Sequence, residues 1–388
     1  KTAEAQIAIA TAEKEPADYC FPNALEAIEA LQCVVDFAGK APKALYYLGN
    51  LWYDKRRYPT AIAAWERSSR EDETFPTVWR NLSLDYFNKM NRPDEAVALL
   101  EKAFRLDHTD ARVLMELDQL YKRLNRPHIE RLCFLEQHID IVMTRDDLYL
   151  EYVTLLNQTG QYREAIRRID QRKFHPWEGG EGKVPAQYQL ARLELAKELI
   201  NRKKYDDALA LIDECYIYPT HLGEGKLPGA QENDFNYYKA YILQQQGRPE
   251  EAHSLFVKAC SGNSQPAAAM YYNDQKPDKI FYQGLAYRKL GEEEKARSRF
   301  NQLITYGEEH LFDRFKMDYF AVSLPDLLIW EDDMDKKNRI HCNYLMALGH
   351  LGLGNRTKAE HFFDIAASMD NNHQGVQIHR KLMNTILS

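Results

Sequence analysis

Residues 280–300 read IFYQGLAYRKLGEEEKARSRF. Apolar residues in the first half lie on one helical face, and Gly284 within it leaves room for a second helix to touch. Tyr287 is placed to pack between the two helices. Gly291 ends the first helix with a turn, and Ala296 and Phe300, four residues apart, fall on one face of the next. The stretch predicts a tight helical hairpin, with a small residue in each arm where the arms meet.

The same small-then-large pair recurs along the chain: Ala61/Trp65, Ala96/Leu100, Ala165/Ile169, Ala208/Ile212, Ala252/Phe256, Ala296/Phe300 and Ala359/Phe363. A degenerate copy with Glu130 in the small slot and Phe134 in the large one fills the gap between the second and third pairs. The step from Ala61 to Ala96 is 35 residues, and Ala96 to Ala165 is 69 across two copies. It then lengthens to 43, 44 and 44, and finally to 63 between Ala296 and Ala359. A period of this size is the mark of a stacked helical-repeat array.

Leu48-Gly49 with Trp52, Ala61 and Trp65 repeats the pattern of the opening stretch, as do Trp79, Leu82 and Tyr86, and Leu348–Phe363 with Gly354. These residues resemble the tetratricopeptide repeat (TPR), over about residues 42–370. The resemblance implies an all-α, right-handed α-α superhelical solenoid of about eight TPR-like hairpins with terminal capping helices. The expected organisation is a capping segment over 1–41, regular repeats over 42–172, repeats with insertions over 173–370, and a capping helix over 371–388. Asn23–Ala38 and Gln374–Leu387 read as the helices that cover the two ends.

In the family the first helix of each hairpin lines a concave groove. That places Tyr46, Asn50, Tyr53, Arg80, Tyr237, Tyr241, Phe281 and Tyr344 as groove candidates, suited to stacking on a peptide or a sugar. Some family members clamp a C-terminal carboxylate with Lys and Asn. Asn50, Asn81 and Arg112 fall at matching places, but Tyr46 and Glu116 replace basic residues, which argues against that ligand.

The longer steps come from insertions between hairpins. Two of them, 174–185 and 218–228, both contain Gly-Glu-Gly-Lys, then an apolar residue, then Pro. Lys183 and Lys226 are 43 residues apart, one repeat. Stacking would bring Glu181 and Glu224 together, with His175, Trp177, Glu178, Lys183, His221 and Lys226 nearby. Two readings stay open: a polar double loop that grips a ligand, or two loops that brace each other. The spacing is not that of a phosphate-binding P-loop. A third insertion, Cys260–Asp278, reads as a loop ending in Tyr271-Tyr272. The fourth, Tyr306–Asn338, holds Glu308-Glu309-His310, an aromatic stretch through Phe312, Phe315, Tyr319 and Phe320, then Trp330 and an acidic run. Its alternation over 319–324 is too short to be a strand, and much of it reads as helix.

Composition narrows the function. A net charge of −7 over 388 residues gives no basic footprint for nucleic acid. No apolar run is long enough for a membrane helix. Six cysteines are scattered singly, without a C-x-x-C pair, so neither a zinc site nor a redox motif is expected, and a reducing, cytoplasmic setting is. No nucleophile elbow or metal-ligand spacing is present, so no cofactor, metal or independent catalysis is expected. The favoured function is a non-catalytic scaffold that binds a protein segment or an adjacent domain through groove and loops. The alternative is an accessory part of a carbohydrate-processing protein, with the two Gly-Glu-Gly-Lys loops contributing to a saccharide site. FHPWEGGEGK, LGEGKLPGAQEND and DYFAVSLPDLL resemble the C-terminal repeats of large bacterial proteins that carry an aldose-epimerase-like β-sandwich domain first. A start at Lys1 rather than Met fits a piece of such a chain.

Overall fold

Residues 3–17, 22–269, 274–314 and 329–383 are described by a computed structural model, and all regular structure among them is helical. They fall into two compact units: Lys1–Leu124 with Ile329–Glu331, and Asn125–Leu328 with Asp332–Ser388.

The first unit contains α1 (Ala3–Ala12), α2 (Glu26–Ala38), α3 (Pro42–Asp54), α4 (Tyr58–Glu71), α5 (Pro76–Asn88), α6 (Pro93–Leu106) and α7 (Ala111–Arg123). Helices α3/α4 and α5/α6 are hairpins, and α2 packs on α3 as the preceding cover. The second unit contains α8 (His128–Gln137), α9 (Ile139–Val142), α10 (Asp146–Gln158), α11 (Tyr162–Asp170), α12 (Lys183–Asn201), α13 (Tyr205–Cys215), α14 (Asn233–Gln245), α15 (Pro249–Ala259), α16 (Pro277–Lys289), α17 (Glu293–His310), α18 (Met334–Gly352), α19 (Arg356–Met369) and α20 (Gln374–Leu382). From α10 to α19 these form five successive hairpins. The division at Leu124 falls inside the copy with the weakest motif, the one with Glu130 in the small slot. The change from plain hairpins to hairpins with insertions comes later, at 172–173.

All seven small/large pairs are buried. An alanine has no side chain beyond Cβ, so the arms approach until the large residue four positions on fills the remaining gap. In the second copy Ser83 takes the glycine slot, and its hydroxyl donates to the Ala96 carbonyl at 2.6 Å, so the polar atom is satisfied. Pro42, Pro76, Pro93, Pro249 and Pro277 each stand at the first helical position, where a missing N–H costs nothing.

No helix lies between Ala259 and Pro277 among the described residues, and Tyr271-Tyr272 lie outside them. In the fourth insertion, helix reaches in from both ends, to His310 and from Met334. Phe315, Tyr319, Phe320 and the 319–324 alternation lie outside the described residues. Ile329–Glu331, three residues shortly before α18, belong to the first unit.

Candidate binding surfaces

In the first unit α3, α5 and α7 place a polar ladder on one shared face. Asn50 Oδ1 accepts from Trp65 Nε1 at 3.2 Å and from Asn81 Nδ2 at 2.9 Å. Arg80 then donates to Asn81 Oδ1 at 3.1 Å and through Nε to Glu116 at 2.7 Å. Arg112 donates to the same carboxylate at 3.0 Å. Burial by itself would lower the Arg80 pKa, but the hydrogen bonds and charge of Glu116 hold it above its usual value. Tyr46 is buried with its ring edge on Phe75, and Tyr53 is half-buried against Tyr58 and Trp65.

Ile329–Glu331 lies on this unit and is held by main chain and side chain together. Asn88 donates to the Ile329 carbonyl at 2.8 Å and accepts from the Glu331 N–H at 2.9 Å. Arg123 donates to the Trp330 carbonyl at 3.1 Å. The Trp330 indole is 1% exposed, donates to the Glu116 carbonyl at 3.0 Å and meets Phe87 edge-on at 5.2 Å. The Glu331 carboxylate pairs with Lys89.

Close by, Asp85 is 0% exposed, and both its carboxylate oxygens lack a hydrogen-bond partner among the described residues. Burial pushes its pKa from 3.8 to about 6, against the pull of Lys89 and with a further push from Glu331. A carboxyl whose folded pKa lies above its unfolded value loses stability as pH rises through that interval. Asp85→Asn is therefore expected to stabilise the first unit by about 2 kcal/mol at pH 7.5 and by little at pH 4. Melting curves at the two pH values check this, and an equal effect at both would contradict the charge as the cause.

In the second unit the corresponding face is covered by α20. Tyr344 OH lies 3.0 Å from His379 Nδ1, which is also 2.8 Å from the Gly375 carbonyl. The His379 ring contacts Phe281 and Tyr282, and Val376 and Leu382 of the same helix are buried. Tyr237 is buried among Tyr238, Phe256 and Tyr282, and Tyr241 is half-buried with Lys289 over its ring at 5.6 Å. Beneath them lie two buried ion pairs, Lys197–Glu194 and Lys279–Asp234. The turn before α20 reaches back to the start of the unit. Asn125 donates to the Met369 carbonyl at 3.2 Å and accepts from the Asn371 N–H at 3.1 Å. Asn372 accepts from Arg131 at 2.7 Å and from Gln158 at 2.8 Å. Gln187 donates to Gln374 at 2.8 Å.

The two Gly-Glu-Gly-Lys loops touch. The Phe174 N–H donates to the His221 carbonyl at 2.8 Å, and Gly223, at φ 77°, leaves room where any Cβ would meet the Phe174 carbonyl at 2.8 Å. Glu224 accepts from the Gly182 N–H at 2.7 Å, at the start of α12, where a carboxylate also suits the helix dipole. Burial raises the Glu224 pKa, the Gly182 bond opposes this, and Glu181 adds to it, which places Glu181 near. Lys226 pairs with Glu232 and donates to the Tyr216 carbonyl at 3.0 Å. His175 is exposed and donates through its N–H to Asp146 at 2.8 Å. His221 lies 3.9 Å from Asp170 and stands edge-on to Tyr188. Trp177 covers Gly180, while Glu178, Glu181 and Lys183 are exposed. Glu224→Ala is expected to cost about 1 kcal/mol and to speed hydrogen exchange in the first turn of α12, whereas Glu181→Ala leaves both unchanged.

Among the described residues no three of His, Cys, Asp and Glu gather as they would around a metal ion. No described helix is long and apolar enough to cross a membrane. Burial pushes the Cys260 and Cys342 thiols up to about 12, away from nucleophilic reactivity.

A family model described as a tetratricopeptide repeat matches residues 280–306, the hairpin of α16 and α17. That hairpin is a tetratricopeptide repeat. The chain is similar to Naa15/Naa10 bound to HypK-THB, at 12% identity and a TM-score of 0.41. That match covers 92% of this chain and 63% of the other, so the chain spans less than two-thirds of that relative. A tetratricopeptide repeat protein from Parabacteroides merdae is similar at 15% identity and a TM-score of 0.30, covering 67% of this chain and 97% of that one. MamA is similar at 14% identity and a TM-score of 0.19, covering 68% and 95%.

On the TPR clamp positions, Asn50 and Asn81 bond to each other and Glu116 takes both Arg80 and Arg112. The basic side chains that would meet a carboxylate here meet one from their own unit. Asn88 and Phe87 carry no sequence signal of their own. Trp330 stands out in the sequence, but its contact with Glu116 spans 214 residues and follows no period.

Proposed function

We propose that this TPR chain is a non-catalytic protein-interaction scaffold whose first unit receives a non-helical polypeptide segment on the face of α5 and α7. The observation that carries the reading is the Asn88 amide. It bonds the carbonyl of one residue and the N–H of the residue two further on, which recognises main chain independently of sequence. Arg123 adds a third main-chain bond between them. An Asn side chain that satisfies both polar groups of a passing strand removes the desolvation cost of docking bare backbone. The polar ladder from Asn50 to Arg112 extends along the same unit and supplies further donors and acceptors.

The test is a displayed library of random linear peptides panned on the full chain carrying Trp330→Ala, which frees the face of its own segment. Enriched peptides that lose at least ten-fold in affinity on Asn88→Ala, with unchanged helical circular dichroism, support the reading. Absence of enrichment, or peptides indifferent to Asn88 and Arg123, would overturn it.

A further inference from the structure

The segment Ile329-Trp330-Glu331 is read at three levels. Asn88 and Arg123 hold its main chain. A closed pocket takes its central side chain, with Phe87 edge-on to the indole and the Glu116 carbonyl accepting from Nε1 at 3.0 Å. Lys89 takes the carboxylate that follows, beside Tyr53 and Tyr58. The pocket discriminates: a phenylalanine would fill the apolar part but forfeit the indole's bond to the Glu116 carbonyl, a loss of several-fold in affinity. A basic residue after the tryptophan would oppose Lys89. Buried tryptophans bracketed by polar contacts are the usual anchors of protein interfaces.

This segment is 241 residues from Asn88 in sequence, so it reaches the site as a tethered ligand reaches its receptor. We infer that the face of α5 and α7 is a docking site for partner segments with an apolar–Trp–acidic triplet, and that Ile329–Glu331 holds the site in cis. The inference rests on the reading of the first unit as a main-chain receptor and adds the side chains it selects. A tethered segment competes at an effective concentration on the order of millimolar, so a free segment of equal intrinsic affinity binds the intact chain weakly. Release of the tethered segment would restore the intrinsic affinity.

The test uses the full chain and a fluorescein-labelled peptide with the sequence of residues 327–334, LLIWEDDM, read by fluorescence anisotropy. Trp330→Ala is expected to raise peptide affinity at least ten-fold over the unsubstituted chain. Glu331→Lys, which leaves the indole in place, is expected to raise it several-fold, so the outcome does not hang on one variant folding. A peptide with alanine for tryptophan should not bind. Adding Asn88→Ala to the Trp330→Ala chain should lower affinity ten-fold or more. Adding Lys89→Glu should weaken the acidic peptide and restore binding of a peptide with lysine after the tryptophan. Equal peptide affinity in the unsubstituted chain and both released variants, with helical circular dichroism intact, would overturn the proposal. Enrichment of library peptides that depend on Asn88 but carry no tryptophan would overturn it too, while leaving the broader reading standing.

Discussion

Replacing Gly284 by leucine is expected to remove 3 kcal/mol or more from the second unit, to an order of magnitude. The ring of Phe300 is 0% exposed and lies in a slot between two glycines: a Cβ at Gly284 would stand 2.4 Å from a ring carbon, and one at Gly352 2.1 Å. Gly349 extends the slot, since a Cβ there would stand 2.6 Å from the Phe300 carbonyl. The ring cannot retreat, because Phe281 and the Arg288 guanidinium pack around it. Overpacking a closed core costs about 1–3 kcal/mol per small insertion, and leucine adds three carbons beyond Cβ. Phe300→Ala approaches the same site from the other side and should cost about 3–5 kcal/mol through the cavity it leaves. The two together should recover part of the loss, as contacting sites couple. Denaturant midpoints check the size, and hydrogen exchange checks the place. Protection should fall first in α16–α18, and an unchanged midpoint for Gly284→Leu would refute the slot as drawn.

Acidification from pH 7.5 to 5 is expected to weaken the second unit while strengthening the first. His379 is buried, with Tyr344, Phe281 and Tyr282 around its ring and the charges of Lys197, Lys279 and Asp234 nearby. Burial first, and Lys197 second, depress its pKa to about 3. Its Nε2 has no hydrogen-bond partner among the described residues, so nothing there shares an added proton. His341, which contacts the Ala267 carbonyl, is lowered to about 4 by burial, and burial also lowers His350 and His373. A histidine depressed in the fold leaves stability intact above the unfolded value near 6.5. Below it the unfolded chain binds the proton and the native one does not, so stability falls by about 1.4 kcal/mol per pH unit. At pH 5 that is about 2 kcal/mol from His379, with a smaller share from partly exposed His341. Asp85 works the other way in the first unit, because its folded carboxyl takes up a proton near pH 6. Hydrogen exchange at the two pH values, corrected for intrinsic rates, separates the units. Protection that moves in the same direction in both would contradict the assignment. His379→Phe should remove most of the acid sensitivity of α20.

The hairpins were legible because their signal repeats. Ala61/Trp65 through Ala359/Phe363 mark the same close contact seven times, and chance does not place seven such pairs at a helical-repeat period. Gly284 beside Phe300 and Gly49 beside Trp65 follow from the same logic of small against large. The covering helices were legible in position but not in contact. A helix starting at Gln374 is visible in the pattern, yet nothing in it says that His379 meets Tyr344. For that reason Phe281 and Tyr344 read as groove residues from their repeat position, and in the fold they pack against α20. The Ile329–Glu331 contact was least legible. Three residues carry no period, and Asn88, which holds them, differs in no way from a surface asparagine until the distant segment arrives. The paired loops lie between these cases. Their one-repeat spacing foretold that they would meet, whereas the bond from Gly182 to Glu224 depends on backbone direction at a left-handed glycine.

The bonds from Asn125, Arg131 and Gln158 to the turn at 369–372 have an evolutionary corollary. An open stack can gain or lose a repeat by gene duplication or deletion, since each new copy needs only neighbours. The second unit joins its first helices to its last, so its copy number is counted by the fold. One hairpin more or fewer would carry Asn371 and Asn372 a full step away from the side chains that receive them. Variation in repeat number among descendants of this gene should therefore be found before Leu124 and be absent between α10 and α19.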